Sequence, residues 1–240
     1  MRILFAALLF LTSLSAIVTT TVPASADQFQ IPNAREAHDL FWTRLYPSDG
    51  WTLYCGEYFQ SHDKIDIENV YSLVWAAESL NCGDIEQCRH NNARFNRIEA
   101  DLHNQYPAKP MIIQARKDYR FGLIPGEFRE FFECDFENSV HDQMAEPRII
   151  ARGNIARALF YMHTQYGLPL DGDMLALLKE WNLADPPSKD EIRRNDIIEK
   201  LQGTRNRYID NPRLAEQIHN GAATNTTAHR DVYIQVLESF

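Results

Sequence analysis

The chain has 240 residues, with 24 Lys and Arg against 33 Asp and Glu and a formal net charge of −9 at pH 7. That length admits one domain with a sizeable core, or at most two small ones. The acidic balance counts against non-specific binding of polyanions, which needs clustered Lys and Arg, but leaves room for a local basic groove.

The first residues read MRILFAALLFLTSLSAIVTTTVPASADQ. Arg2 supplies a short positive start, Ile3 to Val18 an apolar run broken only by Thr and Ser, and Ala24-Ser25-Ala26 a small-x-small cleavage pattern. This predicts a secretory signal peptide over residues 1–26, cleaved after Ala26, and a secreted or periplasmic protein. Losing Arg2 makes the remainder one unit more acidic. No later stretch is long enough to cross a bilayer, so no membrane association is expected after cleavage.

NAREAHDLFWTRLYP places Ala37, Leu40, Phe41 and Leu45 at helical spacing, with Asn33 as cap and Pro47 as stop. WTLYCGEYF is rich in β-formers and predicts a strand. KIDIENVYSLVW opens with apolar/polar alternation at Ile65 and Ile67, which predicts a strand near 64–71. CRHNNARFNRIEADLHNQYPA reads as a short helix ending near Ala100, then a second short strand around HNQYPA.

The C-terminal half reads as helical. RGNIARALFYMHTQYG puts Ile155, Leu159, Met162 and Tyr166 on one face and ends at Gly167. Asp171 caps DGDMLALLKEWN, and Ser188 with Glu191 forms a capping box ahead of IRRNDIIEKLQG. These apolar stripes are read as core packing. The expected organisation is a single α+β domain over 27–213 and a loose, small and polar tail over 214–240. Asn225-Thr226-Thr227 matches a glycosylation sequon, which means little without a eukaryotic host.

Four cysteines stand at positions 55, 82, 88 and 134. An even number in an exported chain points to two disulfides, for which three pairings exist. Cys82 and Cys88 enclose only GDIEQ, so they are paired locally, which joins Cys55 to Cys134.

Several segments together resemble the endonuclease I family, secreted or periplasmic nucleases with a ββα-metal (His-Me finger) active site. They are TLYCG, IENV, IEADLHNQYPA, KDYRFG, ARGNIARALFYMHTQYGLPL and LLKEWNLADPPSKDEIRRNDIIEKLQGTRNRYID, in the family's order and over most of the chain. DLHN and RGNIARALFYM are the specific pieces. The resemblance implies a ββα-metal core with mainly helical surroundings. It also implies phosphodiester hydrolysis in which one divalent ion, usually Mg²⁺, neutralises transition-state charge. A strand His would activate water, a carboxylate beside it and an oxygen ligand from the next helix would hold the ion, and an Arg would steady the phosphate.

Carried over residue by residue, those roles are largely missing. Glu68 retains the ligand carboxylate. Asn69 occupies the general-base position, and a carboxamide does not accept a proton near neutral pH. Ile113 falls at the helix ligand, where a branched alkyl group offers no oxygen, and the MII run (111–113) suggests an apolar pocket floor. Ile85 falls at the Arg position; Arg89 is the nearest basic substitute. His103, in DLHN, is a possible replacement base.

Arg148, Arg152, Arg157 and Arg205, with Arg193, Arg194 and Arg207, are candidates for a nucleic-acid groove. The net charge favours reading them instead as solvated helix faces paired with acids. The sequence therefore predicts an exported pseudo-nuclease that binds an extracytoplasmic protein or nucleic acid, with no cofactor, or with weak Mg²⁺ should hydrolysis survive. The alternative is an active metal-dependent DNA or RNA endonuclease with a rearranged site. No Ser, Cys or Asp motif supports another hydrolase.

Overall fold

The computed structural model describes residues 27–126 and 130–219. The expected signal peptide, the sequon and all but the first few residues of the expected tail lie outside them. The described chain is mixed α+β, with three small sheets among helices.

Helix α1 (Ala34–Leu40) starts where Asn33 accepts a hydrogen bond from the Glu36 amide, and it continues as a π turn over Phe41–Leu45. The single strand expected in WTLYCGEYF is instead a minimal hairpin. β1 (Gly50–Trp51) pairs antiparallel with β2 (Tyr58–Phe59). Between them the chain folds back through Gly56, whose φ of +63° favours glycine. The Leu53 amide donates instead to the Pro107 carbonyl.

The second predicted strand is shorter than 64–71. β3 is Asp66–Asn69, because Lys64 belongs to a 3₁₀ turn capped by Ser61, and Ser72 caps the next helix, α2 (Leu73–Leu80). The helix expected before Ala100 is two helices. Asp84 and Gln87 make a reciprocal capping box for α3 (Ile85–Asn91), and Asn92 ends that helix while capping α4 (Ala93–Glu99). The strand expected at HNQYPA begins only at β4 (Gln105–Ala108), since the Asp101 carboxylate accepts the His103 amide and holds a turn there. β4 pairs antiparallel with β3, setting Glu68 opposite Tyr106 and Asn69 opposite Gln105.

Helix α5 (Pro110–Arg116) follows, with Pro at its first position. A third sheet was not anticipated. β5 (Arg120–Phe121) runs parallel to β7 (Met144–Pro147), which is antiparallel to β6 (Phe136–Ser139). Both disulfides form as expected, Cys55–Cys134 and Cys82–Cys88.

Helix α6 (Arg152–Tyr166) ends at Gly167 in the left-handed region. Its buried face is wider than one stripe, running without a break from Ile155 to Met162. It packs against α7 (Gly172–Ala184), capped by Asp171, and against the short α9 (Arg207–Asp210). Ser188 caps α8 (Lys189–Gln202). The Glu191 side chain does not complete the expected box, because it is turned inward onto Arg157. The chain stays packed beyond Arg213: a 3₁₀ segment over Pro212–Gln217 buries Ala215 and Ile218 against the main core. A smaller core around Ile31, Phe41, Leu102 and Ile198 joins α1 and α8.

The disulfides differ in the chain they close, with sequence separations of 79 for Cys55–Cys134 and 6 for Cys82–Cys88. Loop-closure entropy favours the longer link, about 4 kcal/mol against about 2 kcal/mol. In urea titrations the Cys55→Ser/Cys134→Ser variant is therefore expected to lose more stability than Cys82→Ser/Cys88→Ser.

Candidate functional site

β3 and β4 pair although α2, α3 and α4 lie between them in the chain, α5 follows β4, and together they carry three of the singled-out residues. Glu68 projects into the protein and is 4% exposed. Its Oε1 accepts a hydrogen bond from the Tyr54 hydroxyl at 2.7 Å, and Arg116 Nε stands 3.7 Å away. Burial raises the pKa of Glu68; the Arg116 charge and the Tyr54 bond oppose that rise. Burial and the Glu68 charge hold the Tyr54 phenol well above its usual value, so it stays a donor.

Arg116 is itself buried. Its Nη2 donates to the Val70 carbonyl at 2.6 Å, and its guanidinium lies 4.7 Å from the Phe121 ring centre and 5.0 Å from that of Trp75. It fixes the chain that leaves β3 and at the same time provides Glu68 with a neighbouring cation.

Asn69 lies at the end of β3, half-buried. Its Oδ1 is 3.5 Å from Asn104 Nδ2. Asn104, fully buried, also brackets Tyr71, accepting its amide at 2.6 Å and donating to its carbonyl at 3.0 Å. Ile113 is half-buried in α5 and packs on the main core. The MII run is a helical turn rather than a pocket floor: Met111 faces solvent and Ile112 is buried.

The other candidates are placed elsewhere. Ile85 opens α3 and packs against the core. Arg89 is held by Glu99, with Nε to Oε1 at 3.0 Å, and by Glu86, so it is not free for a phosphate. His103 is 1% exposed and precedes β4. Its Nε2 is 3.0 Å from the Thr204 carbonyl and its ring lies 4.4 Å from that of Tyr161. Burial pushes its pKa down to about 3. A neutral imidazole sealed among helices is a poor substitute base.

His103 belongs to a buried network around Asp101. One Asp101 oxygen accepts the hydroxyls of Tyr161 (2.9 Å) and Tyr166 (2.6 Å), the other the Gln202 amide (2.8 Å) and the His103 amide (2.9 Å). DLHN is thus a structural motif whose polar side chains tie the β3–β4 pair to α6 and to the end of α8.

The groove candidates separate by partner. Arg157 is fully buried, with Nε and Nη2 bonded to the two Glu191 oxygens at 2.7 and 2.6 Å, so it cannot meet a ligand. Arg152 pairs with Glu146 at 2.6 Å and lies over Trp181. Arg205 is surrounded by Asp196, Glu199 and Asp210, which raise its pKa. Arg148 has no ion pair among the described residues; its Nε donates to the Leu53 carbonyl at 3.0 Å. Sequence reasoning missed Tyr54 and the role of Arg116. The position of Tyr54 beside Cys55 was the available signal.

A model of the endonuclease I family matches residues 37–213. The chain is 30% identical over 229 residues to a protein of Aeromonas hydrophila named extracellular deoxyribonuclease, covering 83% of this chain and 96% of that one. It is 30% identical over 226 residues to a periplasmic deoxyribonuclease of the same organism, covering 83% and 94%. An extracellular ribonuclease of Bacillus subtilis (strain 168) matches at 32% over 141 residues, covering 49% of this chain and 46% of that one.

Unfolding restores an ordinary imidazole, so the unfolded chain takes a proton on His103 below pH 6.5 that the folded chain refuses until about pH 3. Stability from this group is therefore complete above pH 6.5 and falls toward pH 3, by up to about 1.4 kcal/mol per pH unit. Denaturation between pH 7 and 4 is expected to show a shallower acid decline for His103→Gln. Arg157→Ala, which strands the Glu191 carboxylate, is expected to cost about 3–5 kcal/mol in the same measurement at pH 7.

Proposed function

The chain belongs to the endonuclease I family, and we propose that it is an exported member that keeps the scaffold and has given up phosphodiester hydrolysis. The observation that carries this reading is the β3–β4–α5 unit. Taken as the family's ββα-metal core, it presents an amide at the general-base position, Asn69, and an alkyl group at the helix ligand position, Ile113. Asn69 cannot take up the proton, and Ile113 cannot supply the oxygen ligand, that hydrolysis needs.

The side chains do not fit the divalent ion that the family implies. Of the positions that carry the family's roles only Glu68 brings a carboxylate, and it is buried, bonded to Tyr54 and faced by the Arg116 guanidinium, which repels a second cation. No group of three or more His, Cys, Asp or Glu able to hold a metal exists among the described residues. What these residues do is structural: Tyr54 and Arg116 satisfy Glu68, and Asn104 steadies Asn69 and Tyr71.

Export is supported by the signal-like start, by two disulfides, which persist in oxidising compartments, and by relatives named extracellular and periplasmic. The retained activity would be binding to a nucleic acid or an extracytoplasmic protein. One observation favours a second reading, an active nuclease with a rearranged site: relatives named deoxyribonucleases match along nearly their whole length, and Glu68 is kept.

Plasmid nicking by the mature, oxidised protein with Mg²⁺ or Mn²⁺, with and without chelator, separates the two. Loss of a general base alone lowers rates about 10²–10⁴-fold, so no chelator-sensitive nicking above background is expected. Asn69→His with Ile113→Asn is expected to gain divalent-ion binding by calorimetry. Chelator-sensitive nicking by the unaltered protein that disappears in Glu68→Gln, which retains an acceptor for Tyr54, would establish the active reading.

A further inference from the structure

A cleft of about 590 Å³ opens between the β1–β2 hairpin, the start of α6 and α8, and neither Glu68 nor Asn69 lines it. Its size suits a small organic ligand. At its mouth Trp51 and Tyr58 are 58% and 43% exposed, with ring centres 5.1 Å apart. Tyr106 of β4 lines the interior.

The acids of the cleft are engaged by the fold. Glu191 is forked by Arg157, Asp190 pairs with Arg193 at 3.1 Å, Asp185 accepts the Gly153 amide at 2.9 Å, and Asp49 accepts the Tyr58 hydroxyl. The cations Arg148 and Arg194 have no carboxylate in ion-pair contact among the described residues. Arg148 is half-buried, and burial lowers its pKa. Its guanidinium lies over Gly56, where a Cβ would come 2.3 Å from Nη1, so the glycine that makes the turn also makes room for the cation. Arg194 is 6% exposed and stands 4.0 Å from the centre of the Tyr106 ring. Its Nη2 donates to the carbonyls of Leu102 and Gln105, and the Tyr46 hydroxyl stands beside its guanidinium.

A cleft with two guanidinium groups outside ion-pair contact and an exposed indole at its rim fits a ligand that joins an anion to a flat π-face. We propose that it binds one nucleoside monophosphate unit, with the phosphate toward Arg148 and Arg194 and the base against Trp51. That unit is either a free nucleotide or the phosphorylated end of a strand. The site shares Tyr106 with the β3–β4–α5 unit but includes none of Glu68, Asn69 and Ile113, and it stands whether or not the protein hydrolyses nucleic acid.

The test is calorimetric titration of the mature, oxidised protein in chelator. The probes are deoxyadenosine monophosphate, deoxyadenosine, inorganic phosphate, and a short oligodeoxynucleotide with and without a 5′-phosphate. One site per chain is expected for the nucleotide, with at least tenfold weaker binding of the nucleoside and of phosphate alone. Trp51→Ala, at an exposed position that leaves the core intact, and Arg148→Gln are each expected to weaken binding about tenfold or more. Tighter binding of the phosphorylated oligonucleotide than of the nucleotide, with the same sensitivity to both substitutions, assigns the site to strand ends; equal or weaker binding assigns it to free nucleotide. The proposal is overturned if neither phosphorylated probe binds, or if binding is unchanged in both variants. Because the readout is binding without divalent ions, its failure leaves the nicking result unaffected.

Discussion

The buried fork between Arg157 and Glu191 is the constraint on which the helical half depends. It joins α6 to α8, and Arg157 Nη1 reaches the Asp185 carbonyl at the end of α7 at 2.7 Å. A guanidinium without water is tolerable only when nearly every donor is satisfied, and here one carboxylate, one amide and one backbone carbonyl do so. The helices must therefore meet at one spacing. Gly153 sets it: a Cβ there would lie 2.0 Å from the Asp185 carbonyl oxygen. Glycine and arginine four residues apart on one helix are two parts of a single joint.

The two most specific sequence motifs are thereby explained. RGNIAR is the close approach plus the buried charge, and DLHN is the Asp101 network with the Asn104 bracket. Both consist of buried polar groups whose geometry admits few substitutes. Such residues are legible because nothing chemically different can replace them. The strands were less legible for the opposite reason. At two to four residues, their limits are set by neighbouring caps, Ser61 and Ser72 around β3 and the Asp101 turn before β4, rather than by any alternation long enough to read.

At the candidate site, the assignment of Asn69 and Ile113 rests on the flanking residues of the sequence alone. The surroundings of Glu68 could not be read from the sequence, because Tyr54 lies 14 residues before it and Arg116 well after it, and only tertiary packing brings them together. The arginines show a similar limit. Formal charge says nothing about pairing, and Arg157, Arg152 and Arg205 turn out to be bound internally while Arg148 does not. A count of basic residues does not separate the paired arginines from Arg148.

The Asp101 and His103 contacts carry a consequence in time as well as in space. Their partners Gln202 and Thr204 lie 101 residues further along the chain in each case. A polypeptide emerging N-terminus first can offer Asp101 the Tyr161 and Tyr166 hydroxyls earlier, but it cannot complete the network until Gln202 and Thr204 have been synthesised. The last links of the buried network therefore close late, as non-local contacts do. Delayed consolidation of this kind keeps a nascent chain pliable enough to be threaded through a narrow pore before it sets.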